Sequence, residues 1–431
     1  MSNNDRDAFG EAVDASFWRG LTQPRLSRRQ VLGAAGGGLV AALLGDAAIA
    51  GAALPNAGIG TPSWWRKQKT HHVVNFANWP LYIDSLKGKH PSLVHFHQTT
   101  GIKVNYSEVI QDNSSFYATI RPSLAAHQAT GYDILVMTNN NPPLHYLMEL
   151  GWLIPLDHAN MPNFNKYAGP LVKNPGWDPG NKYSMAWQSG WTSVAYNSKI
   201  VKNPGDSVDI LFSKKYAGRV GMMSDPYELG CVGLLAIGVE PASSKESDWS
   251  KAATKLKRQK SDGIPAAYYD QSYIQHLKNG DTVVSQCWSG DIFQANLSSK
   301  YKNLVLMIPH EGLMLWTDNM IIPLYASNPR DAMTTMDYFY SPQTQSVVEY
   351  YDNYICPVPG AKQQLIHPTG WNKATLAALA PEIGLPTSTI ANSPDIFPTP
   401  TRVARSKNYY QFKNQEEINA WTNLFLPIIQ G

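Results

Sequence analysis

The chain has 431 residues, 43% of them hydrophobic and only 16% charged, with a formal net charge of +3. A chain of this length buries a large core and favours two lobes over one. So small a net charge supplies no field to draw in a nucleic acid or another polyanion. The three cysteines (Cys231, Cys287, Cys356) lack metal-ligand spacing of the C-x-x-C kind.

In chain order, residues 1–50 read as an export segment. Arg28 and Arg29 precede a weakly apolar, glycine-rich run, LGAAGGGLVAALL, and Ala48-Ile49-Ala50 offers a small-x-small cleavage site. This is the twin-arginine pattern, which a receptor reads on an already folded protein. The run is too short and glycine-loosened to favour a spanning helix. Residues 51–71 read as a linker. From His72 onward, strand-like runs alternate with helical ones: HVVNF, PSLVHFHQTTG, IKVNYSEVI, NSSFYATIRPSLAAH, DILVM. Such alternation predicts an α/β fold with mainly parallel sheet, whose ligands sit beyond the carboxyl ends of the strands. Asn78-Trp79 and Thr138-Asn139-Asn140 fall at two such ends. Residues 183–197 (YSMAWQSGWTSVAYN) predict a long strand crossing between lobes, with Trp187 and Trp191 on one face. The alternation then resumes with RVGMM, the helical LGCVGLLAIGV and TVVSQCW. Asp225 and Glu228 precede or open that helix, where capping and ligand contact are both consistent with an acid. His95 and His97, two apart on a helix, share no face and predict no metal site.

The most informative stretch is 286–323. It contains Trp288-Ser289-Gly290-Asp291 and Trp316-Thr317-Asp318-Asn319, each placing an indole near a carboxylate. An indole face and a carboxylate suit an organic cation leaving water. Two core tryptophans with chance acidic neighbours are the alternative.

With these motifs in view, the chain from about Val73 resembles the spermidine- and putrescine-binding periplasmic proteins of ABC importers. The resemblance rests on Asn78-Trp79-x-x-Tyr82, Gly101-Ile102-Lys103-Val104, Tyr132-Asp133-Ile134-Leu135-Val136, Asp225-x-x-Glu228, Asn279-Gly280-Asp281, Trp288-x-Gly290-Asp291, Trp316-x-Asp318 and Pro357-x-Pro359, in that order. It implies a two-lobed periplasmic-binding-protein fold of the type II kind, each lobe a mainly parallel sheet flanked by helices, with the cleft between. Lobe one would comprise 72–190 and 319–362, and lobe two 191–318 and 363–431. It further implies a monomeric, non-enzymatic receptor without cofactor or metal, exported to the periplasm or cell surface, delivering a polyamine to membrane permease subunits.

Carried over by residue, Trp79 and Tyr82 would wall the site from lobe one, and Trp288 and Trp316 from lobe two. Asp318 would be the principal carboxylate. Asp225 and Glu228 match the spermidine type, while Asp291 matches the putrescine type. Thr138, Asn139 and Gln411 align near polar ligand contacts. Leu81 stands where the family usually has an acid, so either Asp84 substitutes or the ligand has no charge there, and Cys356 replaces a tyrosine, with Tyr354 two residues earlier. Other solutes of the same fold remain open, namely ferric iron (Tyr268-Tyr269, Tyr350-Tyr351, Tyr409-Tyr410), a thiamine-like cation or a sugar. A secreted glycosidase using Asp291 and Asp318 is the reading from another class.

Overall fold

The computed structural model describes residues 58–270, 272–297 and 302–430. The export pattern and residues 51–57 lie outside the described residues. The linker expected up to residue 71 contains a helix, α1 (Pro62–Lys67), capped by Thr61 and started by Pro62. It belongs to the first lobe, because Trp65 is 1% exposed and its indole donates to Pro155 O at 3.0 Å.

The first βα run is β1 (Val73–Asn78), α2 (Pro91–Thr100), β2 (Lys103–Glu108), α3 (Asn113–Ala125), β3 (Ile134–Thr138) and α4 (Pro142–Glu149). β1 pairs in parallel with both β2 and β3. After α5 (Pro162–Tyr167) the chain enters β4 (Ser184–Asn197), fourteen residues long and buried almost throughout. The second run is β5 (Val220–Met223), α6 (Pro226–Ala236), α7 (Glu246–Ser261), β6 (Pro265–Tyr269), α8 (Tyr273–Asn279), β7 (Val284–Trp288) and α9 (Ser289–Leu297). β5 is parallel to β6 and β7. β8 (Leu304–Leu306) leads to β9 (Leu313–Ile321), which returns antiparallel to β4 along most of its length. The sheet is therefore continuous, in the order β2-β1-β3-β9-β4-β7-β5-β6. Its two ends are parallel, and the antiparallel pair β4–β9 joins them. Among the described residues no helix is long and apolar enough to cross a membrane.

The remaining elements are α10 (Pro329–Tyr338), α11 (Pro342–Asp352), α12 (Ala361–Ile366), α13 (Trp371–Ile383), α14 (Thr387–Ala391), α15 (Pro400–Arg405), β10 (Ser406–Lys407) and α16 (Gln415–Gln430). The return to the second lobe was expected at residue 363, but it comes later. Leu376, Leu379, Ile390 and Ile396 bury themselves in the same core as Phe76 and Phe339 of the first lobe. Only with Tyr409, Phe412, Trp421 and Phe425 does the chain join the core built on Val220, Leu234 and Trp249.

A second departure concerns the long strand. The register of β4 against β9 slips between Ala186 and Gln188, and such an extra residue breaks the two-residue period. Trp187 and Trp191 accordingly separate. Trp187 packs edge-on against Phe76 and Phe339 of the first core, whereas Trp191 bonds Ser406 and lies under Arg402.

Candidate functional site

The site is built where the crossing strands meet the end of β3. On β9, Trp316 and Asp318 are two apart and so share a face. Asp318 lies opposite Thr138 of β3 on one side and Gln188 of β4 on the other. Asn113 fixes the direction of its hydrogen bonding. The Asn113 amide donates to Thr138 Oγ1 at 3.0 Å and its carbonyl accepts from Thr138 N–H at 3.1 Å, so the Thr138 hydroxyl spends its proton on Asp318 Oδ1. Tyr82 Oη donates to the other oxygen at 2.7 Å. Burial pushes the Asp318 carboxyl up to about 6, against the pull of these two donors. It has no ion pair among the described residues.

Three rings frame this carboxylate. Tyr354 stands edge-on to Tyr82, centroids 5.4 Å apart, and edge-on to Trp316 at 5.7 Å. Asn353 turns the chain at the end of α11 with φ 62° and aims Tyr354 inward. Two glycines make room for the rings. A Cβ on Gly190, which faces Trp316 across the ladder, would come within 2.2 Å of the indole, and one on Gly290 within 2.9 Å of Tyr354.

The second lobe contributes more carboxylates. Asp291, in the first turn of α9, accepts from Tyr273 Oη at 2.7 Å, and the same hydroxyl accepts from Trp288 N–H at 3.0 Å. Burial raises Asp291 to about 6, tempered by Tyr273 and the nearby Lys278. Glu228 is buried to 1% exposure and raised to about 7 by desolvation and by Asp225. Its oxygens accept from Tyr409 Oη at 2.9 Å and, from across the cleft, from Asn140 Nδ2 at 3.1 Å. Tyr146 of α4 makes another crossing to Gln415 of α16, at 2.6 Å.

The residues singled out in the sequence divide into two groups. Tyr82, Thr138, Trp316, Asp318 and Tyr354 come together, with Asp291 near enough to act electrostatically on Tyr354. Trp79 and Trp288 are half-buried at the edges, Trp79 donating its indole N–H to Val136 O at 3.2 Å and Trp288 standing edge-on to Tyr273.

Four residues are held by partners within the fold. Asp84 is no substitute for an acid at Leu81, because both its oxygens are taken by Ser92 at the start of α2. Asp225 caps α6 through the N–H groups of Tyr227 and Glu228, at 2.7 and 3.0 Å. Asn139 clips β9, its side-chain carbonyl accepting from Thr317 N–H at 2.8 Å, and Gln411 donates to Tyr409 O at 3.3 Å. Sequence reasoning missed Asn140 as the cross-cleft contact and Tyr409 as the partner of Glu228. The tyrosine pairs also diverge. Tyr409 turns to Glu228, Tyr410 to Glu417, and Tyr350 to Leu385 O.

Residues 93–378 match the family described as bacterial extracellular solute-binding protein. Over 292 residues the chain is 28% identical to the putrescine-binding periplasmic protein PotF of Escherichia coli strain K12, which takes in 64% of this chain and 74% of that one. It is 26% identical over 347 residues to the putrescine/agmatine-binding protein of Pseudomonas aeruginosa, covering 75% and 89%. Among solved structures, the spermidine/putrescine ABC transporter substrate-binding protein PotD from Streptococcus pneumoniae superposes with a TM-score of 0.67 at 22% identity, covering 83% of this chain and 98% of that one.

Proposed function

This chain belongs to the bacterial extracellular solute-binding proteins, and from that premise we propose that it is the exported receptor of an ABC importer for a polyamine of the putrescine or spermidine class. It acts as a monomer, encloses the ligand between its lobes and presents it to a membrane permease. The observation that carries this reading is Asp318, a buried carboxylate held by two hydroxyl donors, framed by three aromatic rings and without a counter-charge among the described residues. An ammonium on an alkyl chain supplies what is missing there. Its charge answers the carboxylate, its methylenes lie against the rings, and the ring faces add cation–π attraction. The names of the relatives in both comparisons point to the same solute class.

Calorimetry and thermal melting against putrescine, spermidine, spermine, agmatine, thiamine and Fe³⁺ test the reading. At least one diamine or triamine is expected to raise the melting midpoint by several degrees, since a hundredfold excess over Kd adds about 2.7 kcal/mol. If no polyamine moves the curve at millimolar concentration while another solute does, the polyamine assignment is wrong.

Export runs through the twin-arginine route, as Arg28-Arg29 ahead of the apolar run supports. Changing both arginines to lysine is expected to leave the protein in the cytoplasm, as read by fractionation. Undiminished export of that double variant removes the route from the proposal.

A further inference from the structure

Two side-chain hydrogen bonds join the lobes outside the aromatic frame around Asp318. Both start from one segment of the first lobe, the exit of β3 and the helix α4 that follows it. Asn140 Nδ2 donates to Glu228 Oε1 at 3.1 Å, and further along Tyr146 Oη donates to Gln415 Oε1 at 2.6 Å. Met137, Leu144 and Leu147 anchor this segment in the first core. The acceptors open two helices of the other core. Glu228 lies in the first turn of α6, ahead of Leu229, and Gln415 begins α16, which buries Ile418 and Trp421. Those two helices are tied to each other, because the Trp421 indole donates to Pro226 O at 3.0 Å. Two donors on one body therefore meet two acceptors on another.

The partners are held in place from their own sides. The Tyr146 ring lies against Tyr117 of α3, centroids 5.7 Å apart, and packs on both cores. One turn into α16, Asn419 Oδ1 accepts from Gln415 Nε2 at 2.9 Å, which turns the Gln415 oxygen toward the phenol. Glu228 is gripped by Tyr409 Oη, and Gln286 Nε2 donates to its backbone oxygen at 3.0 Å. Groups ordered in this way lose little freedom when they meet. None of the four residues lies on β4 or β9, the strands that run through both lobes. Parting the lobes about those strands leaves the strand pairing intact but separates both bonded pairs.

We propose that Asn140–Glu228 and Tyr146–Gln415 form a clasp that closes the lobes on its own, so that a fraction of the receptor is closed before a solute arrives and the solute's departure waits on the clasp. Both bonds use only groups of the chain, so the device does not depend on which solute the cleft takes. It acts on the equilibrium between open and closed forms. A hydrogen bond between neutral groups favours the closed form by about three- to tenfold, and one to a carboxylate by more. Tyr146 and Gln415 are only partly buried, so water replaces their bond when the lobes part, and the clasp can be released.

The test is a pulsed spin-label distance measurement on the whole protein without solute. Labels go on exposed positions of the two lobes, through Gln98→Cys on α2 and Lys257→Cys on α7, while the native cysteines are buried. Two distance populations are expected, open and closed. Tyr146→Phe, which keeps the ring, should lower the closed-to-open ratio by about three- to tenfold, and Asn140→Ala by at least as much. Adding Gln415→Ala to Tyr146→Phe should change little further, because the two residues share one bond. A solute-free protein with no closed population, or with one that these variants leave unchanged, overturns the clasp. Should Asn140→Ala fold poorly, Tyr146→Phe decides alone. Where an amine binds, its dissociation from Tyr146→Phe is expected to quicken by the same factor, and an unchanged rate overturns the control of release. A protein that binds no amine yet shows the shift in distances sinks the polyamine reading and leaves the clasp standing.

Discussion

Asp318→Asn is expected to weaken polyamine binding by a hundredfold or more, while the ligand-free protein stays as stable as wild type or becomes more so. The loss follows from removing one partner of a buried charge pair, which costs about 3–5 kcal/mol, with about 1.4 kcal/mol for each factor of ten. The gain in the empty state has a separate cause. Asp318 is desolvated with no counter-charge among the described residues and its carboxyl lies near 6 in the folded chain, against about 3.9 in an unfolded one, a difference on the order of 3 kcal/mol at neutral pH. Asparagine removes that penalty. The hydroxyls of Tyr82 and Thr138 each retain an oxygen with which to meet its amide. Calorimetry and melting curves of the same preparations read both quantities. Wild-type affinity in the Asp318→Asn variant would remove Asp318 from the site.

The second large effect is expected with pH. Asp318 and Asp291 are raised to about 6 and Glu228 to about 7. Because these folded-state values exceed the unfolded ones, the folded chain binds more protons than the unfolded chain between about pH 4 and 7, and these three groups make stability fall as pH rises through that window. A bound cation reverses the preference, since it favours the ionised carboxylates. Affinity is therefore expected to climb as pH rises from 5 to 7, by about tenfold for each group near 6 that contacts the ligand and about fiftyfold if Glu228 does. Titrations at fixed ionic strength from pH 5 to 8 would show it. An affinity flat across this range would mean that none of these carboxylates pairs with the solute.

What the residues disclose in advance depends on whether the cause is local. The parallel runs at both ends of the sheet were legible because each strand and helix carries its own period, and the length of β4 was legible because residues 184–197 include neither proline nor a run of charges. Trp316-x-Asp318 was legible for a similar reason, since a two-residue spacing on a strand puts both side chains on one face. Asp225 as a cap was half-legible, as an acid ahead of Pro226 suits a helix start. The bulge at Trp187 was not, because nothing within β4 marks which residue will fall out of register with β9. Asp84 was misjudged because its partner, Ser92, belongs to the next helix. Tyr409 reaches Glu228 from 181 positions away, and residues 363–396 form short helices and turns with few buried side chains, whose sequence does not say which core they will enter.

The glycines opposite Trp316 and Tyr354 divide the cleft into parts with different freedom to change. At the centre, Gly190 against Trp316, Gly290 against Tyr354, and the relay from Asn113 through Thr138 to Asp318 are interlocked. A substitution at any one of these positions must be matched by a simultaneous change in its partner. At the edges, half-buried Trp79 and Trp288 meet no such glycine among the described residues. Single replacements are expected to be tolerated there, so on the proposed reading a lineage of such receptors could drift from one amine to another at its edges while the grip of Asp318 on the first ammonium is inherited intact.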